Sequence, residues 1–87
     1  MEKYKIEFKR SAVKEIKKIP SAELKRILSK VDSLAENPRP IDSVKLSSQE
    51  KYRVRCGNYR IVYKIEDQVL VVYVIKIGHR KDVYRIN

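Results

Sequence analysis

Lys51-Tyr-Arg-Val-Arg-Cys-Gly-Asn-Tyr-Arg60, continued by Ile-Val-Tyr-Lys-Ile65, is the stretch that decides how this chain folds. Cations alternate with apolar residues, the alternation breaks at Gly57-Asn58, and then it resumes. In an extended chain successive side chains point to opposite faces. Tyr52, Val54 and Cys56 therefore share one face, and Arg53 and Arg55 share the other. A two-residue loop at Gly57-Asn58 closes an antiparallel hairpin in which Arg55 lies opposite Arg60, while Tyr59, Ile61 and Tyr63 extend the apolar face. Like charges facing each other on paired strands repel. Three arginines on one sheet face thus point to an absent polyanion, and phosphate is the anion that the planar guanidinium fork fits best.

Working outward, Asp67-Gln68 reads as the next turn, and Val69 to Ile77 is an almost unbroken valine-rich run, as expected of a central strand covered on both faces. Upstream, Val44-Lys45-Leu46 reads as a short strand and Ser47 to Glu50 as a loop. Earlier still the period is helical. Leu24, Ile27, Leu28, Val31, Leu34 and Ala35 follow i, i+3, i+4, i+7 spacing after the start signal Ser21, and Asn37-Pro38 and Pro40 stop the helix. A shorter stripe, Ala12, Val13, Ile16 and Ile19, begins at Ser11 and ends at Pro20. Tyr4 to Phe8 alternates and predicts a strand with Tyr4, Ile6 and Phe8 inward. The expected architecture is α+β: a strand, a two-helix antiparallel hairpin, then a three- to four-stranded antiparallel sheet, with the helices on one face and a basic surface on the other.

Eighty-seven residues suffice for one core and no more. The formal net charge is +10, from 21 Lys and Arg against 11 Asp and Glu, which favours nucleic acid, a membrane surface or an acidic protein as partner. A single cysteine, Cys56, allows no internal disulfide and fits a reducing cytoplasm; its place on the apolar side marks it as a structural thiol. Met1 to Phe8 lacks the apolar stretch of a secretory signal, and no run reaches the length of a membrane span. One histidine and one cysteine do not build a zinc site of the usual kind.

The strand Val69–Ile77 delivers His79, Arg80, Lys81, Tyr84 and Arg85 beyond its end. If it runs antiparallel to Tyr59–Ile65, that end lies near the Gly57-Asn58 tip, and Arg80 joins Arg53, Arg55 and Arg60 around one concave surface. A tyrosine beside cations is the arrangement that binds single-stranded nucleic acid, fork to phosphate and ring to base. The competing reading makes Tyr84 tail packing, Arg80 a solvated charge and His79 a strand-end residue held by backbone.

Tyr52-Arg-Val-Arg55, Gly57-Asn-Tyr-Arg-Ile-Val-Tyr63 and Gly78-His-Arg-Lys-Asp-Val-Tyr-Arg85, behind a basic strand-helix-helix layout, resemble the RelE family of toxin–antitoxin ribonucleases within the wider RelE/ParE group. Order and spacing match over nearly the whole chain, so the resemblance implies one RelE-like toxin domain over residues 1–87. It implies an enzyme that enters the ribosomal A site and cuts messenger RNA, the 2′-hydroxyl of one nucleotide attacking the adjacent phosphate. By the same resemblance Arg60 contacts the scissile phosphate, Arg80 stabilises or protonates the leaving oxygen, and Tyr84 stacks on a base. Arg53 and Arg55 stand where family members carry lysines, one of them a proposed general base. Arginine is effectively always protonated, so Arg55 binds phosphate and does not serve as that base. Lys51, His79, Lys81 and Arg85 complete the expected RNA-binding set.

The implied partners are messenger RNA on the ribosome and an antitoxin whose acidic or amphipathic segment masks the arginine face. Operator DNA is reached only through the antitoxin complex. No cofactor or metal is expected, because the arginines supply the charge a metal otherwise would. Two other functions fit the same chain: a ParE-like inhibitor of DNA gyrase, and a basic RNA- or ribosome-binding module without catalysis. Fold alone does not separate them. A membrane role is disfavoured, since the apolar helix faces are needed to cover the sheet.

Overall fold

The structure, a computed structural model, describes residues 3–47 and 49–79. Strand β1 (Lys5–Phe8) leads into helices α1 (Arg10–Ile16) and α2 (Ser21–Glu36), followed by strands β2 (Val44–Ser47), β3 (Lys51–Cys56), β4 (Tyr59–Glu66) and β5 (Val71–His79). The strands form one five-stranded sheet in the order β1-β5-β4-β3-β2. The sheet is antiparallel except at its first edge, where β1 pairs in parallel with β5. The α+β class expected from the sequence is the one observed, with the first strand added to the sheet.

The alternation seen in the sequence becomes the two faces of this sheet. Tyr52, Val54, Ile61, Tyr63, Ile65, Val72, Val74 and Ile77 pack with Ala12, Ile27, Val31 and Leu34 of the helices into one core, and Ile6, Phe8, Cys56 and Tyr59 border it. Ile61 is fully buried, and truncating such a residue to alanine costs about 2–5 kcal/mol. That is a large share of the stability a small domain possesses. Tyr63 is buried too; its hydroxyl donates to the Pro38 carbonyl at 2.7 Å, and burial pushes its pKa up to about 12.

Several boundaries differ from the periodicity. Helix α1 begins at Arg10 and stops at Ile16, short of the expected Ile19, because the backbone tightens there: Lys18 and Ile19 donate to Glu15 and Ile16, three residues back. Pro20 disfavours helical geometry at Ile19 and supplies the N-cap of α2, so Ser21 is the first helical residue and caps nothing. Val13 and Leu28, read as apolar-face residues, are 40% and 36% exposed. The turn before β5 takes four residues, Asp67 to Leu70, with Leu70 at φ 54; Val69 lies in it, 63% exposed, and the strand starts at Val71. Strand β5 is central in its hydrogen bonding but covered on one face only: Val72, Val74 and Ile77 are buried, while Val71, Tyr73 and Ile75 are half-exposed. Its pairing with β4 is irregular at Val62/Tyr63, leaving Ile75 as an extra residue on β5.

Candidate functional site

The hairpin of β3 and β4 holds the register predicted from its letters. Cys56 pairs with Tyr59, Arg55 with Arg60, Arg53 with Val62 and Lys51 with Lys64. Gly57 takes φ 60 and Asn58 does not take a positive φ, as in a type II′ turn, where only the first central residue needs glycine. Directly opposed residues share a face. Lys51, Arg53, Arg55, Arg60 and Lys64 therefore stand together on the side of the sheet away from the helices. On the far side of Arg60 its partner in β5 is Gly78.

Arg60 is 2% exposed, the one buried charged residue among those described. It does not project freely from the apolar layer, as the alternation alone suggests; Arg55 is exposed and Arg53 half-buried. The three arginines line a groove of about 370 Å³ whose other walls are Asp42, Val44 and Gly57. Asp42 comes from the loop before β2, and no sequence pattern marked it. Its carboxylate accepts from Lys30 Nζ at 2.9 Å, which holds its pKa below the ordinary carboxylate value. The groove thus combines three guanidinium groups with one carboxylate that is paired to Lys30.

Strand β5 runs antiparallel to β4 and ends beside the hairpin tip, as expected, with His79 opposite Tyr59. Neighbours along a strand face opposite ways, so His79 shares the face of Tyr59 and not that of Arg60. Its ring meets Tyr59 edge-on at 5.7 Å. The two rings border a separate cavity of about 260 Å³ on the side of α1, with Glu15, Lys18 and Ile19. The structure does not bring His79 to the arginines. Lys51 lies on the arginine face but at the other end of β3, roughly 13 Å from Arg55 at 3.3 Å per residue. The assignments to Arg80, Lys81, Tyr84 and Arg85 lie outside the described residues.

The family model for the ParE toxin of type II toxin–antitoxin systems, parDE, matches residues 6–84. The chain is 33% identical to the mRNA interferase toxin RelE of Escherichia coli K12 over 81 residues, 90% of this chain and 84% of that one. The chain belongs to the RelE/ParE family of type II toxins. Two solved structures superpose closely on it. The intact E. coli RelBE toxin–antitoxin complex matches with TM-score 0.79 and 28% identity over 87% of this chain and 95% of that one. The archaeal RelE–RelB complex of Pyrococcus horikoshii matches with TM-score 0.78 and 25% identity, over 90% and 96% of the two chains.

Two features of this RelE-like toxin were invisible to motif reading. Arg39, in the loop after α2, donates to Asp67 and Glu50 and lies over the Tyr52 ring, 5.5 Å from its centroid. Asp67 also accepts from the Tyr4 hydroxyl at 2.6 Å, and Glu50 pairs with Lys45. This network gathers the start of β1, the α2–β2 loop and both ends of the β3–β4 hairpin strands at the sheet end away from the tip. The second feature is Glu15 of α1, which pairs with Lys76 and accepts the Ile77 backbone N–H at 3.2 Å. The side-chain contacts of Arg39 and of Glu15 all reach partners more than ten residues away, so local spacing carries no trace of them. Among the described residues, no helix is long and apolar enough to cross a membrane, and no group of three or more His, Cys, Asp or Glu could hold a metal ion.

Proposed function

We propose that this toxin is an endoribonuclease that cleaves messenger RNA in the ribosomal A site. The observation that carries the reading is the pairing of Arg55 with Arg60 across the hairpin, with Arg53 lining the same groove. The E. coli relative that aligns over 90% of the chain is named an mRNA interferase. In the reaction, the 2′-hydroxyl oxygen of one nucleotide attacks the adjacent phosphorus and loses its proton. The bond from phosphorus to the following 5′-oxygen breaks, and that oxygen takes up a proton, leaving a cyclic phosphate. Arg60 and Arg55 stabilise the charge that builds on the phosphorane oxygens, the largest single contribution available to a site of this kind. Arg53 and Lys51 hold the flanking backbone. By family resemblance Arg80 serves the leaving oxygen, Tyr84 orients a base, and Lys81 and Arg85 add backbone contacts.

Proton transfer is the weak part of the site. Guanidinium groups do not deprotonate, His79 is on the other face, and Asp42, its pKa lowered by Lys30, is a weaker base than an ordinary carboxylate and carries no proton to give. The site therefore acts through positioning and charge, with the ribosome holding the message in an in-line geometry. The partner that restrains it is an antitoxin, as in the E. coli and P. horikoshii complexes. A chain of net charge +10 calls for an acidic masking segment.

The family model's ParE description supports a second reading, inhibition of DNA gyrase. Mapping RNA ends in a purified translation system separates the two. Cleavage within ribosome-bound codons, lost in Arg60→Ala, is the expected result. Intact message together with blocked supercoiling by gyrase would replace the ribonuclease with the gyrase inhibitor.

A further inference from the structure

Strand β1 pairs with β5 only along Val71 to Val74, so among the described residues no strand pairs with the outer edge of β5 from Ile75 onward. Helix α1 occupies that place. Lys9, just before it, still donates its N–H to the Val74 carbonyl at 2.8 Å. Two turns later Glu15 extends a carboxylate to the strand: Oε1 accepts the Ile77 N–H at 3.2 Å, and Oε2 pairs with Lys76. The Glu15 side chain is 21% exposed and Lys76 29%. A half-buried carboxylate thus takes the acceptor position that a neighbouring strand would fill.

What this contact fixes is the segment of β5 that pairs with Arg60 and its neighbours. Gly78, the next residue, is the β5 partner of Arg60, and β5 is the strand that leads on toward Arg80. The extra residue at Ile75 interrupts the ladder just before this segment, so the pairing with β4 alone holds it less firmly. We propose that Glu15 is a positioning residue: by anchoring Lys76 and Ile77 from the helical side, it holds Gly78 in register with Arg60 and so steadies the strand position from which Arg60 reaches the groove. The inference rests on the groove's use as proposed above, but its test does not depend on RNA cleavage.

The experiment compares wild type, Glu15→Ala and Glu15→Gln. The amide keeps an acceptor for the Ile77 N–H; alanine removes it. Amide hydrogen exchange at Ile77 and Gly78 and the affinity of the groove for inorganic phosphate, followed by the Arg60 Nε–Hε resonance, are read on folded protein below its Tm. In Glu15→Ala, exchange at these two amides rises by about tenfold or more while Ile61 and Val54 stay protected, as for loss of one charge-assisted bond. Phosphate binding weakens, and kcat falls by about tenfold or more with KM for the ribosome complex within about twofold. Glu15→Gln stays within about threefold of wild type in each readout, the charge of the Lys76 pair being half-exposed. Unchanged exchange and phosphate affinity in Glu15→Ala, or equal losses in Glu15→Gln and at every core amide, would overturn the proposal. A wild type that binds phosphate but cuts no message would overturn the ribonuclease reading alone.

Discussion

A guanidinium buried to 2% exposure beside a second arginine is costly to keep, because desolvation and like-charge repulsion act together. Arg60 is therefore a residue where an uncharged isostere should be tolerated by the fold and not by the chemistry. Arg60→Met keeps the aliphatic volume, and its Tm should stay within roughly 4–8 °C of wild type, the shift that about 1 kcal/mol produces in a domain of this size. Binding of a short single-stranded RNA, measured by fluorescence anisotropy, should weaken by about tenfold or more, the loss of one or two charge-assisted bonds. Tight RNA binding by a folded Arg60→Met would remove Arg60 from the site. Asp42 makes the opposite prediction. It is the one carboxylate lining the groove among the described residues, and Asp42→Asn should tighten RNA binding by roughly two- to fivefold in low salt, with the gain fading as salt screens it. Weaker binding in that variant would mean that the Lys30–Asp42 pair shapes the groove more than its charge opposes the ligand.

At the scale of elements, the β3–β4 hairpin sets the arginine pair, and its tip sets the hairpin. A Cβ at Gly57 would sit 3.8 Å from Arg26 Nη2, an ordinary contact, so space is not what excludes a side chain. The backbone is: φ 60 costs an L-residue about 1–2 kcal/mol. Gly57→Ala should lower Tm by roughly 4–8 °C per kcal/mol of that strain, and it should weaken RNA binding through the loosened Arg55–Arg60 pair. A melting curve superposable on wild type would show that the tip relaxes to another turn. The helices illustrate a different balance. Helix α2 follows its apolar spacing closely, since sixteen residues of consistent period outweigh any single neighbour. Helix α1, only seven residues long, is placed by β5 and by Pro20 more than by its own stripe.

The whole molecule is held at the end opposite the groove by the Arg39 network, which joins segments from Tyr4 to Asp67. Hydrogen bonds from Arg39 and then Tyr4 lower the Asp67 pKa, and those from Lys45 and then Arg39 lower that of Glu50. A carboxyl depressed in the folded state adds stability that is complete above its unfolded pKa, near 4, and is lost as pH falls through its lower folded value. Arg39→Ala should therefore lower Tm by several degrees at pH 7, with the gap to wild type closing as pH falls below the ordinary carboxylate range. Thermal melts on both sides of that range test this; a gap of constant size would assign the effect to the Tyr52 ring contact instead.

Read alone, the letters from Lys51 to Ile65 determined a hairpin, its tip, and the face shared by Arg53, Arg55 and Arg60. A strand's two faces are set by parity along the chain, which needs no knowledge of distant partners. The same holds for the long stripe of α2. Tertiary structure alone decided that β1 lies parallel beside β5, that His79 faces away from the arginines, that Arg60 is buried, and that Asp42, Glu15 and Arg39 reach what they touch. Those outcomes depend on which segments become neighbours, on a one-residue irregularity at Ile75, and on contacts between residues more than sixty positions apart. Periodicity reports the direction of a side chain relative to its own backbone; only packing decides what stands on the other side.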